Sequence, residues 1–193
     1  KLLIQTCNDL NIGIIAMAEH EFSLAEKDRW GANPLDPIDF VRVVKENQDK
    51  FDFFVVLLHG GNEHFSYPSP RLQNQCRFFV EMGADLVICQ HSHVSGSEET
   101  YLGKKIIYGQ GNFLFDWNEQ PDHWYKGFLL SVEFDKKRKP KYSYIPYTQS
   151  NECIGVKKMD QNSASEFLQQ YHKRSEMLKN QDFLEHEWKN FCQ

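Results

Sequence analysis

Apolar and polar positions follow two periods along this chain, and the switches between them mark its elements. Residues 2–6 and 12–17 are short apolar runs on either side of Asn8-Asp9, so two strands joined by a turn are predicted. A polar loop follows. Asp36-Pro37-Ile38-Asp39 then starts a helix: Asp caps, Pro fits the first turn, and a second acid favours the positive helix end. Ile38, Val41 and Val44 form its apolar stripe. Phe53 to Leu58 is a continuous apolar run, which predicts a strand buried on both faces. A second helix starts at Ser69-Pro70, carries Leu72, Cys76, Phe79 and Val80 on one face, and stops at Gly83. Asp85 to Cys89 and Ile106 to Tyr108 are further apolar strands.

The pattern changes beyond residue 120. Residues 127–134 and 141–147 alternate as an antiparallel hairpin, and Lys136-Lys137-Arg138-Lys139 is its solvated turn. Ser163-Ala164-Ser165-Glu166 has the form of a capping box. Ala164, Phe167, Leu168, Tyr171 and Leu178 mark one face of the helix that follows. A last helix starts at Asp182, with Leu184, Trp188 and Phe191 on one face. The fold class is α/β with C-terminal helices. Residues 1–150 are expected to form the main unit, and 151–193 a helical extension packed on it.

Candidate chemistry follows from the strand–helix–strand unit over 53–89. Such a unit is right-handed with parallel, usually adjacent strands, so both carboxyl ends lie on one edge. His59 is the first residue past one strand, and His91-Ser92-His93 follows the other. That edge is where open α/β sheets bind ligands. Imidazoles suit Zn, Fe, Mn, Ni or Cu. A period of two places both side chains of an H-x-H on the same side of an extended strand. His59, His91 and His93 are therefore the metal-ligand candidates.

Weaker candidates surround them. Gly60-Gly61 permits a sharp turn. Glu63 and His64 are possible outer or substrate groups. Glu19-His20-Glu21 also follows a strand and can reach the same edge. Arg71 lies in the first turn of a helix, where a cation opposes the dipole. Either an anionic ligand or a nearby acid should compensate it. Asn112 closes a Gly109-x-Gly111 strand exit, which is not a dinucleotide fingerprint because no helix pattern follows. Asp116 and Trp117 are read as structural.

Composition narrows the class. The net charge is −5 and no basic tract is long enough to imply nucleic acid. Five cysteines without a C-x-x-C argue against a disulfide framework and suit a reducing, cytoplasmic compartment. Cys76 and Cys89 fall in apolar runs and read as core residues. No apolar run approaches the ~18 residues of a membrane span, and no signal peptide is visible. The chain opens on Lys1 inside a strand-like run. It is expected to be part of a longer protein, in which an upstream anchor would place it at the cell envelope.

Four segments occur in order: His59-Gly60-Gly61-Asn62-Glu63, Gly83-Ala84-Asp85-Leu86-Val87-Ile88, His91-Ser92-His93-Val94, and Tyr108-Gly109-Gln110-Gly111-Asn112-Phe113. Together they resemble the bacterial CapA capsule-synthesis family, associated with poly-γ-glutamate and similar to calcineurin-like metallophosphatases. The resemblance covers about residues 12–116. It implies a partial four-layer α/β/β/α sandwich with mixed sheets, of which 1–150 is the C-terminal portion. It also implies two divalent metals (Mn, Fe or Zn) in the full-length protein, His59 and His91 on one and His93 on the other. His59 and His91 become catalytic residues of a phosphoesterase-like hydrolase, and Arg71 suits a phosphate or another anion. The substrate is expected to be an anionic small molecule or polymer.

Two departures matter. The family's N-terminal ligands, an Asp and an Asn-His pair, are expected before Lys1, which makes the N-terminal part of the same protein a partner. Cys89-Gln90 stands where the family usually has Gly. Two alternatives remain open: a non-catalytic component of the capsule-synthesis machinery on the same fold, and a mononuclear three-histidine hydrolase complete in this chain.

Overall fold

A computed structural model describes residues 2–20, 23–115, 120–135, 138–149 and 155–193. Glu21, Asp116, Trp117 and the Lys136-Lys137 turn lie outside these residues.

Among the described residues, nine strands and four α-helices make two sheets with helices packed on them. The first sheet contains β1 (Leu3–Cys7), β2 (Leu10–Ala18), β3 (Phe53–His59), β4 (Leu86–Gln90), β5 (Glu98–Tyr101) and β6 (Lys104–Ile107). Their order is β1-β2-β3-β4-β6-β5. β2, β3, β4 and β6 run parallel, while β1 and β5 are antiparallel edges. The second sheet joins β7 (Lys126–Asp135), β8 (Arg138–Gln149) and β9 (Val156–Lys158), all antiparallel. The fold is thus a mixed α/β arrangement, as expected.

Helices α1 (Pro37–Asn47) and α2 (Pro70–Glu81) are the crossovers that make the neighbouring strands parallel. Their starts follow the expected chemistry. Asp36 accepts hydrogen bonds from Ile38 and Asp39 N–H, and Ser69 accepts from Leu72 N–H. Phe40 of α1 packs on Phe54 at 6.0 Å and on Phe79 of α2 at 4.7 Å. Phe54, Val56 and Leu58 are buried against these helices; Phe53 and Val55 are buried on the other face of β3, where Leu57 is exposed. Cys76 and Cys89 are core thiols, with sulfurs 3.4 Å apart.

The C-terminal helices differ in detail. α3 (Gln161–Met177) starts two residues before Ser163, capped by Asp160, which accepts from Asn162 and Ser163 N–H. The Ser163 hydroxyl donates to the same carboxylate, so it supports the cap rather than forming it. α4 (Gln181–Phe191) is capped by Asn180. Tyr171 of α3 is fully buried with Ile107 of β6 and Phe128 of β7. This second core bridges the two sheets. β9 lies beyond residue 150 and pairs with β8, so the second sheet crosses the expected boundary.

Candidate metal centre

The parallel strands deliver four segments to one edge. Glu19 follows β2, His59 ends β3, His91 and His93 follow β4, and Asn112 lies five residues past β6. Register fixes their level: His59 pairs with Gln90, one residue before His91. Backbone hydrogen bonds knit the loops. Glu19 N–H donates to His59 C=O (3.0 Å), Gly60 N–H to Gln90 C=O (2.9 Å), and His64 N–H to Ser92 C=O (2.8 Å).

The three histidines converge. The ring centres of His59 and His91 are 5.2 Å apart, and those of His91 and His93 5.7 Å. The cause differs from a two-residue strand period. β4 ends at Gln90, and both histidines have left-handed backbones, with φ of 111° at His91 and 60° at His93. Non-glycine residues rarely adopt such values, which are strained and concentrate at functional sites. Ser92 between them is buried, and its hydroxyl donates to Val94 C=O.

A carboxylate joins them. Glu63 Oε1 lies 3.9 Å from His91 Nε2 and 3.8 Å from His93 Nε2. One ligand atom from each of Glu63, His91 and His93 falls within 4.8 Å of the others. Two donors of a tetrahedral zinc ion stand about 3.4 Å apart at bond lengths near 2.1 Å. The set fits such an ion after a small inward rotation, which the 56% exposed Glu63 side chain permits. Its nitrogen and oxygen donors suit Zn, Fe or Mn.

The His93 tautomer follows from its neighbours. Asn112 Nδ2 donates to Trp124 C=O (3.2 Å) and His93 C=O (3.4 Å). Its Oδ1 is therefore the acceptor facing His93 Nδ1 at 2.7 Å. Nδ1 is therefore the donor in that bond, and Nε2 is the nitrogen that faces Glu63 and the centre. Metal-binding histidines are oriented in this way by a partner on the other nitrogen. At His59, partial burial, then His91 and His93, push the pKa below the ordinary histidine value. The ring is neutral at neutral pH, as a metal ligand must be.

Asn112→Ala removes the group that orients His93. Zinc affinity, measured by competition with a chromophoric chelator, should fall about 10–100-fold. An unchanged affinity would mean that Asn112 has only a packing role.

The other candidates take different places. Glu19 is buried; Gly61 N–H donates to its Oε2 (2.8 Å), and Arg71 lies 3.4 Å from its Oε1. Arg71 is therefore compensated by an acid at the helix start. A Cβ on Gly60 would stand 2.5 Å from that carboxylate, so only glycine fits there. His20 is exposed. His64 lies with its ring 6.3 Å from that of His93.

Residues without a sequence signal complete the wall. Trp124, in a short 3-10 turn over Asp122–Tyr125, stacks on His93 at 4.7 Å, and Phe115 lies 5.5 Å from the same ring. Gln149 of β8 donates to Asn112 C=O and accepts from Phe115 N–H. Arg174 of α3 donates to Ser95 and Gly96 C=O, just past His93. These groups lie far along the chain in segments with no motif.

Residues 1–117 match the family described as bacterial capsule synthesis protein PGA_cap. The chain is 36% identical over 92 residues to the PGA biosynthesis protein CapA of Bacillus subtilis (strain 168), covering 48% of this chain and 24% of that protein. It is 31% identical over 106 residues to the capsule biosynthesis protein CapA of Bacillus anthracis, covering 52% and 26% respectively. The match thus spans about a quarter of either relative's length. A crystal structure of a hypothetical protein from Thermus thermophilus aligns over 77% of this chain and 62% of that one, with a TM-score of 0.47 and 10% identity. With the family matched over more than half of its residues, the chain belongs to the bacterial capsule synthesis protein family PGA_cap.

Proposed function

We propose that this chain carries part of the metal centre of a phosphoesterase-like hydrolase acting in capsule synthesis. The convergence of His59, His91, His93 and Glu63 at the carboxyl edge of a parallel sheet carries this reading. His91, His93 and Glu63 would hold a divalent transition metal, with His59 beside them. A metal held there would supply Lewis-acid polarisation of a phosphoryl oxygen.

The chain's own residues supply orientation. Asn112 orients the His93 ring, and Trp124 and Phe115 pack against it. Among the described residues, the grouped donors make a set for one metal. A second metal would need donors from elsewhere in the protein. The capsule role comes from the relatives' names, which state a biosynthetic process and no reaction. The same names fit a second reading, a non-catalytic component of the capsule-synthesis machinery.

Turnover separates the two. The protein charged with Mn2+, Fe2+ or Zn2+ is assayed on phosphomonoesters, phosphodiesters and γ-glutamyl peptides. The hydrolase reading expects turnover that His91→Ala abolishes. Activity unaffected by His91→Ala, or no turnover with any metal, contradicts it.

A further inference from the structure

We propose that His64 and His123 form an oxyanion-binding rim on the metal centre, receiving a phosphoryl or carboxylate group of the substrate through imidazole N–H donors. This rests on the metal-centre reading above.

Five of the eight histidines form one continuous series. Ring centres are 5.2 Å apart for His59 and His91, 5.7 Å for His91 and His93, 6.3 Å for His93 and His64, and 6.3 Å for His64 and His123. His91 and His93 are mostly enclosed, with 13% and 21% of their side chains exposed. His64 and His123 are exposed at the outer end.

Unrelated surface histidines would not be held as these are. His64 has a left-handed backbone, φ 60°, pinned by the hydrogen bond from its N–H to Ser92 C=O between the two ligand histidines. Its ring stacks on Trp124 at 5.7 Å, on the same indole that carries His93. His123 is the residue before that Trp in the same 3-10 turn. One indole therefore sets both rim imidazoles relative to a ligand imidazole.

The local chemistry favours an anion. Burial first, then His64, lower the His123 pKa; Arg174 adds to this and Asp122 opposes it. A neutral His123 offers one N–H donor. Asp122 is engaged by Lys126, and Arg174 keeps a guanidinium charge nearby. Rings 6.3 Å apart let two N–H donors converge on one oxyanion at about 2.9 Å each. His123 also lies beyond the residues 1–117 that match the family.

The test uses zinc-loaded protein titrated with inorganic phosphate and, separately, with glutarate, by calorimetry. One of these anions should bind. The preferred one tells whether the rim takes a phosphoryl or a carboxylate group. His123→Ala should weaken that binding about fivefold or more, the loss of one hydrogen bond. His123→Asn keeps an N–H donor and should recover most of it. His64→Asn, which tolerates the left-handed backbone, should also bind better than His64→Ala. Zinc affinity should be unchanged in all four variants. An anion affinity indifferent to His123→Ala and His64→Ala, or neither anion binding, overturns the rim alone. Wild-type protein that fails to bind zinc overturns the metal reading, and the rim falls with it.

Discussion

His91→Ala is expected to lower the metal affinity of this protein by more than about 100-fold, beyond the 10–100-fold typical of an outer partner. His91 is the hinge of the cluster. Its ring contacts both His59 and His93, and its Nε2 lies 3.9 Å from the Glu63 carboxylate. Removing it takes away the imidazole that touches both other histidines. The alanine also takes over a backbone with φ of 111°. Zinc titration with a chelator competitor reads the affinity, and circular dichroism checks that the fold survives. His91→Gly is the control that relaxes the backbone. It should bind metal as poorly as His91→Ala, because the ligand is what matters. If His91→Gly bound as tightly as wild type, His91 would not be a ligand.

The second large effect concerns stability. Tyr171→Ala should destabilise the protein by about 3–5 kcal/mol, the usual cost of emptying a buried aromatic site. At ~2–4 °C per kcal/mol for a chain of this size, the melting temperature should drop by about 10 °C. Tyr171 is fully buried, its ring lies 5.0 Å from Phe128, and its hydroxyl donates to Glu98. Tyr144 and Lys105 also donate to Glu98, so Tyr171→Phe should cost only about 1 kcal/mol. The effect measures whether α3 belongs to the core or merely rests on it. A thermal scan in which Tyr171→Ala melts within about 2 °C of wild type, under the ~2–4 °C expected per kcal/mol, would show that the helix is a detachable appendage.

The strand–helix–strand unit was legible because Phe53 to Leu58 is a continuous apolar run, five of whose six residues are buried. Handedness then placed His59 and His91 on one edge without further information. β5 was not legible. Its sequence, Glu98-Glu99-Thr100-Tyr101, is polar, and it becomes a strand because Arg77, Lys105, Tyr108 and Tyr144 satisfy its two carboxylates. Two of those partners, Arg77 and Tyr144, lie 22 and 46 positions away. The cap of α3 was misplaced because Ser163 and Glu166 mimic a capping box, while Asp160 reaches two backbone N–H groups directly.

Within the site, the three histidines were legible and their geometry was not. Left-handed φ values at His91 and His93, rather than a strand period, turn the rings together. The Arg71–Glu19 pair spans 52 positions, so sequence could offer only an unnamed acid or an anionic ligand. His123 and Trp124 sit in a four-residue turn too short to show any period. Nothing in the family resemblance reaches that far along the chain. They join the site only because β7 and α3 hold the second sheet against the first.

The central claim is that His91, His93 and Glu63, with His59 beside them, hold a divalent metal. A crystal of the protein grown with Zn2+ and measured at the zinc edge tests it directly. The account predicts an anomalous peak bonded to the His91 and His93 imidazoles and to Glu63 or His59. A peak elsewhere, or none within bonding distance of these two histidines at saturating zinc, would contradict it.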